Sequence, residues 1–93
     1  MNELNFEGGY EEIPEHMREA MLAYVEMGRL MGDFLRAVVS NDLSRAVGYA
    51  DEQNLPLIPL YVRWFYNRAP AGCHGSPDVV RAWIEQGGLG IAA

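Results

Sequence analysis

Arginine, asparagine and aromatic side chains gather at one place in this 93-residue chain. Arg63, Tyr66, Asn67 and Arg68 fall within two turns, Trp64 and Phe65 stand among them, and His74 and Ser76 follow after a short loop. Rings beside guanidinium forks and an amide are what a planar, anionic ligand such as a nucleotide requires. Rings stack on the base, while Arg and Asn bind phosphate and base edges. Ser76-Pro77-Asp78 reads as a helix start, whose free N–H groups suit a phosphate. The candidate ligand-binding set is therefore Arg63, Tyr66, Asn67, Arg68, His74 and Ser76. The competing reading is structural: the arginines pair with surface acids, Tyr66 and Asn67 cap a helix end, and Ser76 is a plain N-cap.

Catalytic constellations are weaker. Cys73 is the only cysteine, so there is neither a disulfide framework nor a CxxC pair. Cys73 and His74 are adjacent and their side chains tend to diverge, while His16 lies on a different helix. A small hydrolase using Cys73 is held only in reserve, since no oxyanion motif accompanies it. No Gly-rich loop of Walker or dinucleotide type occurs, and the acids are spread as on a solvated surface. The chain reads as non-enzymatic, with no catalytic residue, metal or cofactor expected.

Thirteen acids against seven basic residues give a net charge of −6. That argues against non-specific nucleic-acid binding, which needs basic surface to replace counterions. All seven basic residues are arginine, a choice that suits bidentate recognition but follows equally from a GC-rich genome. No apolar run approaches the roughly 20 residues that span a membrane. The acidic, polar start MNELNFEGGYEE is the opposite of a signal peptide, so a cytoplasmic protein is expected.

The elements that must position the cluster are helices. Residues 1–12 lack helical period and read as a flexible arm, although Leu4, Phe6 and Tyr10 could dock on a surface. Pro14 opens a helix to Met27 that ends near Gly28, with Met17, Met21, Tyr24 and Met31 in an apolar series. Four of the five methionines fall between Met17 and Met31, as core filler or, where exposed, an adaptable contact face. A short helix covers Phe34–Val39. Ser40-Asn41-Asp42 caps a third, whose Leu43, Ala46, Val47 and Ala50 form the clearest apolar stripe in the sequence. Leu57–Tyr66 is apolar almost all round, which marks either the buried centre of a bundle or an interface helix. A strand over LYVRWFY is rejected because no second strong strand exists to pair with it. The last helix carries Val79, Val80, Trp83 and Ile84 on one side and stops at Gly87-Gly88. The expected fold is all-α: a compact bundle of about five short helices over residues 13–88, with a tail over 89–93. A chain this short buries only about 60–65 % of its unfolded surface, so homo-oligomerisation is expected as well.

The segments IPEHM (Ile13–Met17), FL-AV-SNDL (Phe34–Leu43), Ala50-Asp51, YN--P (Tyr66–Pro70) and GSP (Gly75–Pro77), with Trp83 after them, resemble a set of small proteins. These are accessory proteins of tailed phages and prophages, generally labelled hypothetical. The resemblance covers about Ile13 to Gly88, and His74 stands where such relatives often carry Trp. It implies a phage origin, action in the host bacterial cytoplasm, and no assigned activity. The expectation that follows is a counter-defence factor that sequesters a nucleotide-type host signal. The alternative is a protein-binding adaptor or inhibitor of a host protein, using a methionine face or the acidic surface.

Overall fold

Pro14, Asp42 and Ser76 each stand immediately before a helix, and the caps they form set the register of the fold. A computed structural model describes residues 4–29 and 32–90. Its helices are α1 (Glu15–Met27), α2 (Asp33–Val39), α3 (Leu43–Tyr49), α4 (Ile58–Asn67) and α5 (Pro77–Gln86). Two single 3-10 turns, Leu55–Leu57 and Ala71–Cys73, lead into α4 and towards α5. Among the described residues there are five α-helices and no strand. Met31 and the ends of the arm and tail, residues 1–3 and 91–93, lie outside the described residues.

Side chains cap the starts of α3 and α5, and glycines close α1 and α5. The Arg45 N–H donates to Asp42 Oδ1 (3.2 Å) at the start of α3, and the Val79 N–H donates to Ser76 Oγ (3.2 Å) at the start of α5. Gly28 closes α1 at φ +69°, its N–H donating to the Tyr24 carbonyl at 2.9 Å. Gly88 carries the tail back across α1: a Cβ built on it would lie 2.5 Å from Gly28 N and 2.7 Å from Val25 O. The Leu89 N–H then donates to the Val25 carbonyl at 3.0 Å. The ends of α1 and α5 thus cross backbone to backbone, which only glycine permits.

The core is aromatic, and its polar tips are all engaged. Trp64, Tyr24, Tyr61 and Phe65 are its largest fully buried side chains. The Tyr24 hydroxyl donates to the Cys73 carbonyl and the Tyr61 hydroxyl to Asn54 Oδ1, both at 2.6 Å. Trp83 Nε1 donates to the Tyr24 carbonyl at 3.0 Å. No buried side-chain nitrogen or oxygen among the described residues lacks a partner, which removes the usual penalty for Tyr and Trp in a core.

Two elements differ from the expectation drawn from periodicity. In α4 only Ile58, Tyr61, Trp64 and Phe65 are buried, whereas Pro59, Val62, Arg63, Tyr66 and Asn67 are exposed. The helix therefore has an inner apolar face and a second, outer one. In α3 the stripe is turned away from the core: Ala46 is buried, but Leu43 is 67 % and Val47 48 % exposed. A period fixes that a helix has an apolar face; it does not fix what covers that face.

Candidate functional site

Residues 4–12 of the expected arm lie against α4, as the apolar residues Leu4, Phe6 and Tyr10 allowed. Phe6 and Tyr10 are buried. The Phe6 ring stacks on Trp64, and Trp64 Nε1 donates to the Asn5 carbonyl at 2.9 Å. Arg18, from α1, places its guanidinium over the other side of the Phe6 ring at 5.4 Å. Its Nε donates to the Ile13 carbonyl at 2.7 Å and its Nη2 to the Glu11 carbonyl.

This arm takes up much of the predicted ligand cluster. Arg68 Nη1 donates to the Asn5 carbonyl (3.0 Å) and Asn5 Oδ1 (2.8 Å), and Nη2 donates to the Glu7 carbonyl (2.8 Å). The same guanidinium lies 4.9 Å over the Tyr10 ring. Asn67 Nδ2 donates to the Tyr10 hydroxyl at 3.1 Å. The fork, amide and ring chemistry read from sequence is present, and the group it holds is the chain's own backbone. Arg63 and Tyr66 are exposed on the outer face of α4, Tyr66 at 78 %, and among the described residues neither side chain has a hydrogen bond or ion pair.

His74 and Ser76 lie apart from these four. The His74 ring is half-buried, 6.3 Å from the Phe65 ring. Burial lowers its pKa from 6.5, partly opposed by a hydrogen bond to the Phe65 backbone. Ser76 caps α5, and the Gly75 N–H ties the intervening loop to the Val39 carbonyl at 2.8 Å. The structure thus joins Asn67 to Arg68 through Tyr10, and does not bring the six residues to one cavity. Cys73 has the surroundings of a core residue: it is fully buried, and burial pushes its thiol up to about 12. A nucleophilic cysteine needs the opposite environment. Among the described residues no three His, Cys, Asp or Glu side chains gather as a metal site would need.

Two surface features were not singled out from the sequence. The first is a cleft of ≈160 Å³ between α2 and α3, lined by Arg36, Arg45, Ser40 and Tyr49, with Pro77 of α5 at its edge. Asp33 and Asp42 also line it, so formal charge on its walls cancels, and Asp42 lies 3.7 Å from Arg45. The second is an apolar groove where α2, α3 and α4 meet, walled by Ala37, Val38, Leu43, Ala46, Ile58 and Val62. Asn41 and Asp42 rim it. Val47 on α3 and Tyr66 on α4 do not line it, but each is exposed and lies one helical turn beyond a lining residue, Leu43 and Val62. The signal for this groove was in the sequence, as the α3 stripe and the all-round apolarity of α4; its assignment to the surface was not.

Charge is distributed unevenly around these features. Residues 1–33 hold eight of the thirteen acids and two of the seven arginines, so they carry the entire net charge of −6. Residues 34–93 hold five acids and five arginines and are neutral. No residue of the acidic third lines the groove.

No family model matches the chain, and no curated protein or solved structure was found to match it. No helix among the described residues is long and apolar enough to cross a membrane.

Proposed function

We propose that this protein acts by protein–protein contact, as a non-catalytic adaptor or inhibitor whose contact face is the groove between α3 and α4. The observation that carries this reading is the exposure of Leu43 and Val62, which wall the groove, with exposed Val47 and Tyr66 one turn further along the same helices. Large apolar side chains left singly on a surface are ordinary; a contiguous set flanking a groove marks an interaction site. The phage resemblance fits a small accessory protein of this kind in the host cytoplasm. The test is capture from bacterial lysate with wild-type protein and a Val62→Glu variant as bait. Wild-type protein retains one stoichiometric protein that the variant loses. Identical captures with both baits would remove the reading.

A second reading is favoured by the cleft beside α3. Arg36 and Arg45 stand there with the Tyr49 ring and the Ser40 hydroxyl, groups that suit the phosphate and base of a nucleotide. Under it the protein is a counter-defence sponge for a nucleotide-type host signal, with the ligand at this cleft and not at Arg68. Calorimetry with mono-, di- and cyclic nucleotides tests it: one class binds and Arg36→Ala abolishes the heat. Silence across the panel would rule it out.

A further inference from the structure

We infer that the α3–α4 groove is closed by a second copy of this chain, in a two-fold dimer that buries Leu43, Val47, Val62 and Tyr66. This rests on the contact-face reading above and names what covers that face in the free protein, so that a host partner engages it only in exchange for the second copy.

Charge selects the partner. At a net charge of −6, two copies repel wherever their acidic surfaces meet. The groove belongs entirely to the neutral part of the chain, residues 34–93, and is lined by no residue of the acidic third. Two copies meeting there bring together groove linings that hold one acid each, Asp42, and none of the acids of residues 1–33. An unrelated partner imposes no such requirement, because its own surface could compensate charge anywhere.

The rim is self-complementary. Asp42 borders the groove on the α3 side. Arg63 follows Val62 on the outer face of α4, is exposed, and its side chain has no ion pair or hydrogen bond among the described residues. A two-fold contact presents the same patch from both subunits, so residue i meets j and j meets i. Asp42 in the groove lining and Arg63, next in sequence to the lining residue Val62, supply one acid and one arginine for that rule: each Arg63 is offered the partner's Asp42, and the reverse. Within its own chain Asp42 caps α3 through Oδ1 and lies 3.7 Å from the Arg45 side chain, and its own side chain is 38 % exposed.

The helices also supply a suitable surface. Leu43 and Val47 are one turn apart on α3, as Val62 and Tyr66 are on α4. Protruding apolar side chains beside a shallow groove let those of a second copy interdigitate with them. Tyr66, 78 % exposed and free of hydrogen bonds, supplies the large amphipathic ring that interfaces favour.

The test is sedimentation equilibrium from micromolar to sub-millimolar concentration on wild-type protein, Val62→Glu and Leu43→Glu. Both positions are exposed, and a Glu at position 43 falls in the first turn of α3, where an acid favours the helix, so both variants keep the fold. Thermal unfolding at a concentration too low for association verifies this. The wild-type chain sediments as a dimer of the 10.4 kDa chain. Each variant, which places an unpaired charge in the contact, weakens the dimer at least about tenfold. Arg63→Glu, which sets an acid against the partner's Asp42, weakens it as well. A wild-type monomer across the range would overturn the inference while leaving the contact-face reading to the lysate comparison. A dimer that neither Val62→Glu nor Leu43→Glu weakens would overturn it too, because self-association then uses another face.

Discussion

Phe6 lies flat on Trp64, with ring centroids 4.8 Å apart and planes within 5° of parallel. A residue near the start of the chain is thereby part of the core that α4 organises. Truncating a buried Phe to Ala costs about 3 kcal/mol or more. Phe6→Ala is predicted to lose about that much, read from the urea midpoint, while Phe6→Leu loses less than about 1.5 kcal/mol. A loss under about 1 kcal/mol for Phe6→Ala would mean that the contact is marginal in solution.

Arg68 ties the same segment through three hydrogen bonds to Asn5 and Glu7 and through the Tyr10 ring. Arg68→Ala is predicted to cost about 1–2 kcal/mol and to speed amide exchange over residues 5–10 ahead of the helices. Arg68→Lys does not rescue it, because an ammonium cannot reproduce the planar fork. Rescue by Lys would show that charge alone holds the segment.

These two contacts mark the limit of what the sequence discloses. Asp42, Ser76, Gly28 and Gly87 were legible as caps and stops because their chemistry acts within three or four residues. The docking of Asn5, Phe6 and Tyr10 on α4 joins residues 57–63 positions apart, and no local period encodes it. Arg68 and Asn67 were read as ligand-binding groups, and in the structure their side chains hold Asn5, Glu7 and Tyr10 of the chain itself. The α3 stripe told that Leu43, Ala46 and Val47 share a face. Whether another helix or a second molecule covers that face depends on the angle at which α3 leaves the Asn41 turn, where φ is +63°.

The crossing of α1 and α5 separates two costs of replacing glycine. Gly87 and Gly88 both have positive φ, +81° and +63°, but a Cβ at Gly87 meets nothing within 4 Å, whereas one at Gly88 strikes the Gly28 and Val25 backbone. Gly87→Ala is predicted to lose about 1–2 kcal/mol, the left-handed strain alone. Gly88→Ala is predicted to lose at least about 3 kcal/mol, since backbone cannot give way cheaply. Equal losses in thermal denaturation would contradict the close approach.

His74 gives the stability a pH dependence of definite sign. Its folded pKa lies below its ordinary value of 6.5 because burial disfavours the charged ring. The unfolded chain therefore binds more protons in the window between the two values, and stability falls as pH drops below 6.5. The corresponding window for Glu11, whose carboxylate accepts the Gly8 and Gly9 N–H groups, lies below 4.5 and is distinct. Urea midpoints at about pH 7.5 and about pH 5.5 are predicted to differ in wild-type protein and to converge in His74→Gln. An unchanged difference in the variant would assign the dependence to another group.

The central claim is that the outer apolar face of α3 and α4 contacts a second copy. It is tested most directly by isotope-filtered NMR on a mixture of ¹³C-labelled and unlabelled chains, which reports only contacts between molecules. The account predicts intermolecular cross-peaks from the methyl groups of Leu43, Val47 and Val62, including some to the Tyr66 ring. Intermolecular cross-peaks confined to other residues, or none at a concentration near a millimolar, would contradict it.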